Sequence, residues 1–401
     1  MGEWKTYRLG EICDVRDGTH DSPKQSLTGK PLVTSKNIKG GIINLSSTYL
    51  ISNEDYQSIN KRSCVHQWDI LFSMIGTVGE LAIVKNEPQF AIKNIGLFKM
   101  NGDQLLSYWI YYYLHSYNAQ EDILKNIKGS TQQYIALKDL RLLPIALPPI
   151  EIRQRIVEIL KSFDDKIELN RRINANLETQ AQALFRSWFV DFEPFRDGPF
   201  VDSEFGKIPQ GWKVGNYTDI VEIKGGGTPK TGIQEYWNGT IPFFSPKDVG
   251  ASCFVLDTEK HITAKGLENC NSSLFQTNTV FITARGTVGK VVMTGTEMAM
   301  NQTNYALLGK QNISQYYVYH ITLQLVARLL KKANGAVFNA ITTRDFTSEQ
   351  IIIPPFSTIR QFSDVVKPIY ENILLNDVQS NRLSALRDTL LPKLMAGEIK
   401  I

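Results

Sequence analysis

The sequence predicts an α+β protein built as two tandem copies of one unit, each ending in a long helix, with the two helices packed as an antiparallel coiled coil. Three observations predict this. Sequence markers recur in one order about half a chain apart. Each copy passes from short apolar runs broken by Gly and Pro into a long Gly-free stretch. Both long stretches carry the same heptad. A chain of 401 residues also exceeds one compact domain, since about 100–200 residues make one.

The markers come first because an internal repeat decides the architecture. Trp4-Lys5 returns as Trp212-Lys213, 208 residues on. Pro31–Ile38 matches Pro242–Val249 at 211, Asp69–Glu80 matches Thr279–Lys290 at 210, and Pro148-Pro149 matches Pro354-Pro355 at 206. The resulting segments are 1–148, a helix over 149–190, a linker over 191–211, then 212–352 and a second helix over 353–401. Within the copies, short apolar runs at Ile70–Met74, Leu81–Val84 and Val280–Thr283 read as strands. A helix is expected near Leu105–Ser116 and another near Ser314–Lys332. The linker holds Asp197-Gly198-Pro199 and Ile208-Pro209-Gln210-Gly211, which are turn signals, and it is acidic, whereas the flanking segments are mildly basic.

Ile150–Trp188 and Phe356–Met395 favour helix. One seam position repeats every seventh residue: Ile156, Phe163, Asn170, Leu177 and Leu184, then Phe362, Ile369, Asn376, Leu383 and Leu390. The second seam position drifts among Ile159, Leu160, Ile167 and Ile173, and among Val365, Val366, Ile373 and Leu386. A sustained heptad argues for coiled-coil packing, and one Asn at a seam position fixes register and orientation. In an antiparallel pair Asn170 and Asn376 meet at the midpoints and their amides can pair. The plainer alternative is two amphipathic helices, each lying on its own domain. Pro368 is expected to kink the second helix or to mark its true start.

Composition narrows the chemistry. The net charge is only +4, from 44 basic and 40 acidic residues, so local basic patches are allowed and a uniformly basic coat is not. No apolar run approaches a membrane span, and Met1–Arg8 lacks a signal-peptide core, so a cytoplasmic location is expected. Cys13, Cys64, Cys253 and Cys270 form no C-x-x-C pair and give neither a zinc nor a disulfide framework. There is no Walker loop, no G-x-S-x-G and no H-E-x-x-H. Pro354-Pro355-Phe356 approaches an amino-methyltransferase site, but Ile353, like Leu147 in copy one, cannot accept a hydrogen bond from an amine. Both Pro pairs read better as rigid helix starts. Gly225–Thr231 is either a tight turn beside a DNA backbone or a merely structural turn. No catalytic residue and no metal site is expected.

DNA contact is the chemistry that the loops support. Gln, Asn, Ser and Thr can read base edges, and Lys and Gly amides can hold phosphates. Candidates in copy one are Lys36, Asn37, Gly76, Thr77, Asn94, Lys128, Ser130, Thr131, Gln132 and Gln133. Those in copy two are Lys230, Lys247, Arg285, Thr287, Asn301, Gln302 and Arg344. Each alone reads equally as a solvated loop residue; recurrence at matching points is what gives them weight. The copies differ where Ile75 faces Arg285 and Gln132-Gln133 faces Val337-Phe338, as two reading heads for different half-sites would.

The chain resembles the specificity subunit of Type I restriction–modification systems. The likeness rests on Trp4…Leu9-Gly10-Glu11-Ile12, Ile208–Trp212, the paired Gly-Thr-Val-Gly elements and the Pro-Pro pairs followed by Arg153-Gln154 and Arg360-Gln361. The helix ends Leu184–Phe192 and Leu386–Ile399 complete it. The resemblance implies two target recognition domains on duplex DNA, held apart by the helix pair. It implies two docked methyltransferase subunits and motor/nuclease subunits, with S-adenosylmethionine, ATP and Mg on those partners and no cofactor on this chain. A helix of 38 residues spans about 57 Å, longer than one DNA turn of about 34–36 Å. The alternatives are the DNA-recognition part of a fused restriction–methyltransferase and a coiled-coil scaffold without DNA specificity.

Overall fold

The computed structural model describes residues 4–332 and 340–399. Four helices organise it: α1 (Gln104–Leu114), α2 (Ile150–Phe189), α3 (Gln315–Lys332) and α4 (Phe356–Met395). The chain forms two compact units, Met1–Asp165 with Leu383–Ile401, and Lys166–Arg382. Each long helix therefore contributes to both units.

The first unit holds a four-stranded antiparallel sheet in the order Asp14–Asp17, Ile95–Lys99, Ile70–Ser73, Leu81–Ile83. The last three strands are buried at every residue. One face packs Phe72 and Phe98 against Trp109 and Ile110 of α1. The other packs Leu71, Ala82 and Leu97 against Val33 and Ile92. A strand covered on both faces reads as a continuous apolar run rather than an alternation, which is the pattern at Ile70–Met74. Lys5–Arg8 pairs with Pro144–Leu147, closing the ends of the copy on each other. At the sheet's rim, Lys99 donates to Asp69 at 2.6 Å, and Asp69 also accepts from the backbone N–H groups of His66 and Met100.

The second unit repeats the plan. Its five-stranded sheet runs Val221–Gly225, Asn304–Gly309, Val280–Thr283, Val291–Thr294, Phe254–Val255. Lys213–Asn216 pairs with Gln350–Ile353 as its counterpart does in copy one. A small parallel pairing, Leu32 with Ala91 in the first unit and Phe243 with Ala299 in the second, also recurs.

The long helices pack side by side within each unit. In the first, Ile156, Val157 and Leu160 meet Leu391, Leu394 and Met395. Asp164 there accepts from Arg387 at 2.6 Å and from the Tyr112 hydroxyl at 2.7 Å. In the second, Ala181, Phe185 and Phe189 meet Ile359, Phe362, Val366 and Ile373. The directions are opposite: Asn170 bonds to the Asn376 carbonyl at 3.3 Å, and Asn174, further along α2, bonds to the earlier Ile373 carbonyl at 3.2 Å. Ile156, Asn170 and Phe362 are buried, and Phe163, Leu177, Leu184, Ile369, Asn376, Leu383 and Leu390 are half-buried. The drifting second position is mixed: Leu160, Val366 and Ile373 are buried, but Ile173, Val365 and Leu386 are exposed.

Two expectations need correcting. The two midpoint amides do not pair with each other. The Asn170 amide donates to Gln379 at 2.9 Å, and the Asn376 amide donates to the Asn174 side chain at 2.8 Å, because the stagger places Asn174 opposite Asn376. Pro368 does not mark the start of α4, which begins at Phe356 and runs through it. Pro368 is exposed, so the carbonyl four residues earlier, which its ring deprives of a donor, lies on the exposed side of the helix. Within the stretch read as a linker, Phe200–Ser203 and Gly206–Pro209 form a hairpin. Trp212 clamps this stretch, its ring centroid 5.3 Å from Phe192 and 5.1 Å from Phe195.

Candidate nucleic-acid interface

In each unit a hairpin loop, a short capped turn and a strap lie close together, the strap being residues 18–20 after Asp14–Asp17 and 226–228 after Val221–Gly225. The cap comes from the sequence: Thr34 and Ser245 each precede a three-residue turn whose last residue is Asn37 or Asp248. Asn37 accepts from the backbone N–H of Thr34 at 2.8 Å and from its hydroxyl at 2.9 Å, and it donates to Ser47 at 3.0 Å. Asp248 accepts the same two bonds from Ser245, at 2.7 and 2.8 Å. Asn37 is thus buried and spent on its own turn, while Lys36 and Lys247 beside these caps are exposed.

The strap also repeats. A Cβ on Gly18 would lie 2.4 Å from the Ile92 carbonyl oxygen, and one on Gly226 2.2 Å from that of Asn301, so both positions need glycine. A Cβ on Gly227 would meet the Asn271 backbone at 2.5 Å. The Gly-rich loop therefore owes its glycines to close approach within the protein. Just beyond, His20 Nδ1 lies 2.8 Å from Asn94 Oδ1, and Thr228 donates to Gln302 Oε1. These side chains tie the strap to the same place in both units. Thr228 belongs to the Gly-rich stretch singled out in the sequence, whereas His20 carries no motif, and only the recurrence of a small-residue approach could have pointed to it.

In the first unit Gly76 and Thr77 are exposed on the hairpin between Ile70–Ser73 and Leu81–Ile83. The Gly76 N–H donates to the Gln133 carbonyl at 2.9 Å. Lys128 and Tyr134 exchange backbone hydrogen bonds at 2.8 and 2.9 Å, so Ser130, Thr131, Gln132 and Gln133 stand exposed on a closed turn beside Gly76. Lys128 is paired with Asp139 at 2.6 Å, and that hydrogen bond holds its ammonium charged above the usual lysine range. The matching loop of copy two, including Asn334-Gly335 and Val337-Phe338, lies outside the described residues.

In the second unit a cleft of about 600 Å³ brings together Lys247, Arg285, Thr287, Asn301 and Gln302. Trp237, Phe243, Glu259 and Lys260, not singled out in the sequence, also line it, as does Thr228 of the Gly-rich loop. The Asn301 side chain is committed to Thr303 and Asn304, accepting at 2.7–3.0 Å. Lys260 sits 5.8 Å from the centre of the Trp237 ring, and Trp237 meets Phe243 edge-on at 5.5 Å. Lys230 is exposed and its carbonyl accepts from the Trp237 indole at 3.3 Å, but its side chain is not part of the wall. Arg344 is exposed on the short helix Thr343–Ser348, away from the cleft lining. The result is an apolar floor ringed by cations, amides, hydroxyls and the Glu259 carboxylate, which suits contact with base edges better than it suits bond-breaking chemistry.

Comparison with known proteins gives the same direction. The Type I restriction modification DNA specificity domain matches residues 1–179 and again 209–384. The MjaIX specificity subunit of Methanocaldococcus jannaschii is 29% identical over 419 residues, covering 100% of this chain and 94% of its own. The HindI specificity subunit of Haemophilus influenzae is 25% identical over 465 residues, covering 100% of both. The S subunit of the M. genitalium Type I restriction-modification system superposes with a TM-score of 0.57 at 16% identity, over 98% of this chain and 96% of that one, a likeness of fold. Two matches to one domain, spanning most of the length, place this chain in the Type I restriction–modification DNA specificity family.

Proposed function

We propose that this chain reads a two-part DNA sequence, one part through each unit's loop cluster, and brings methyltransferase and restriction subunits to it without catalysing a step itself. The observation that carries the reading is a shared frame with unlike tips. Asn37 and Asp248 cap matching turns, and the His20–Asn94 and Thr228–Gln302 pairs tie matching straps. The tips differ, with a half-buried Ile75 packed against the core where the second unit has an exposed Arg285. A frame kept constant under different tips is what two readers of different half-sites need. The full-length relatives from M. jannaschii and H. influenzae are themselves named as specificity subunits, which supports the same role here. In this reading 1–148 and 212–352 are the recognition domains, and two methyltransferase subunits dock on the assembly. S-adenosylmethionine, ATP and Mg belong to those partners.

Methylome sequencing of cells expressing the chain with its cognate methyltransferase tests this. The expected result is one interrupted motif that disappears when the chain is omitted. The purified chain alone should transfer no labelled methyl group to DNA. Methyl transfer by the chain alone, or a methylome indifferent to it, overturns the reading.

A further inference from the structure

The cleft of the second unit is lined by Lys247, Glu259, Lys260 and Arg285, and two of these opposite charges have no partner among the described residues. Among the described residues, neither the Arg285 guanidinium nor the Glu259 carboxylate has a hydrogen-bond or ion-pair partner, although both line the same cleft. Their backbones are nonetheless fixed. Arg285 forms a bridge with Ala340, and its N–H donates to the Thr303 carbonyl at 3.3 Å. The Glu259 N–H donates to Asp248 at 2.8 Å, and the neighbouring Thr258 hydroxyl donates to the Lys260 carbonyl at 2.7 Å. Both side chains thus project from held positions beside an apolar floor.

A phosphate trough would not keep a carboxylate in its wall, because Glu259 would repel the phosphate that Arg285 attracted. A G·C pair needs both. In the major groove guanine offers the acceptors O6 and N7, which fit a guanidinium fork, and cytosine offers its N4 amino group, which a carboxylate accepts. Resting on the reading that this unit contacts duplex DNA, we infer that Arg285 and Glu259 together read one G·C base pair of the second half-site, Arg285 on guanine and Glu259 on cytosine. Lys247, exposed at the rim beside its capped turn, holds phosphate and positions the cleft without choosing the base. In the first unit Ile75 replaces Arg285, so the first half-site is not read by a guanidinium at that point.

The test uses the full chain assembled with its cognate methyltransferase subunits. Methylation rate and competition binding are measured on duplexes carrying the motif and on duplexes in which each G·C pair of the second half-site is replaced in turn. Arg285→Gln and Glu259→Gln should each relax discrimination at one and the same G·C pair, from about 5–150-fold to near unity, with the first half-site unchanged. Lys247→Ala should weaken binding about equally on all duplexes. Where a variant methylates too slowly to measure, discrimination is read from competition at lower salt, which strengthens phosphate contacts on every duplex alike. A second half-site lacking G·C, relaxation at two different pairs, or a uniform loss with Arg285→Gln that keeps discrimination overturns the assignment. Absence of any sequence-dependent methylation by the wild-type complex would instead overturn the underlying recognition reading.

Discussion

At Asp69 a single carboxylate closes the rim of the first unit's sheet. It is fully buried, and Lys99 beside it is almost so. Lys99 also donates to the Cys64 carbonyl at 2.9 Å, so the ammonium is pinned where it cannot reach bulk water. Asp69→Ala leaves that charge and two backbone N–H groups without their acceptor. Breaking a buried pair from one side costs about 3–5 kcal/mol. Thermal unfolding should register that loss, and a variant of wild-type stability would show that the pair is solvated. The matching position in copy two is Thr279, whose N–H donates to the Thr294 hydroxyl at 3.0 Å. The Thr279 hydroxyl donates to the Gln276 carbonyl at 2.7 Å and holds no ammonium, so the two rims are tied differently, which is why the repeat was legible in the strands and not in these residues. Asn37 teaches the converse. Its type and position suggested base reading, but a side chain that satisfies its own turn looks identical in sequence to one that reaches outward.

At the scale of elements the helix pair was the most legible part, because heptads and Asn positions depend only on local periodicity. The stagger was not legible, since it depends on which neighbours the Asn side chains find. Asn170 is fully buried, and its carbonyl oxygen has no partner among the described residues. Asn376, by contrast, supplies the donor that satisfies Asn174. The two positions should therefore respond unequally. Asn170→Leu removes an unsatisfied oxygen but also the bonds its amide donates to Gln379, Ser380 and the Asn376 carbonyl, so stability should change little, at a cost in register. Asn376→Leu orphans the Asn174 oxygen and should destabilise by about 1–3 kcal/mol. Equal shifts at the two sites in chemical denaturation would contradict the stagger. Nearby, burial raises the carboxyls of Glu178 and Asp377 above the usual range, and Asp377 adds to the rise at Glu178. A raised folded-state value means the folded form holds the proton more tightly than the unfolded form. The contribution of these two carboxyls to stability should be fully present below the unfolded carboxylate range and be lost as pH rises through the raised values. Glu178→Gln with Asp377→Asn should flatten that fall in thermal melts, and an unchanged pH profile would rule it out.

At the scale of the whole molecule, two copies of one recognition frame imply that the reading segments are exchangeable. What limits an exchange is the aromatic packing of each segment on the long helices. In the second unit Trp212 lies 5.8 Å from Phe189, and Tyr317 and His320 lie 5.9 and 5.0 Å from Phe185. His320 lies 2.7 Å from the Tyr370 hydroxyl, and burial pushes its imidazole down to about 3, so it is neutral there. A graft of residues 212–352 from another family member should therefore keep Trp212, Tyr317 and His320 as they stand here. Losing one large buried ring costs about 3–5 kcal/mol, enough to unseat the segment before its specificity could be read. With the three retained, the chimera should melt near the parent and methylate a motif whose second half alone has changed. A graft that lacks them should lose thermal stability before it loses the first half-site. Change in both halves by a chimera of parental stability would mean that the segments do not read independently, and that the repeated frame serves a single joint site.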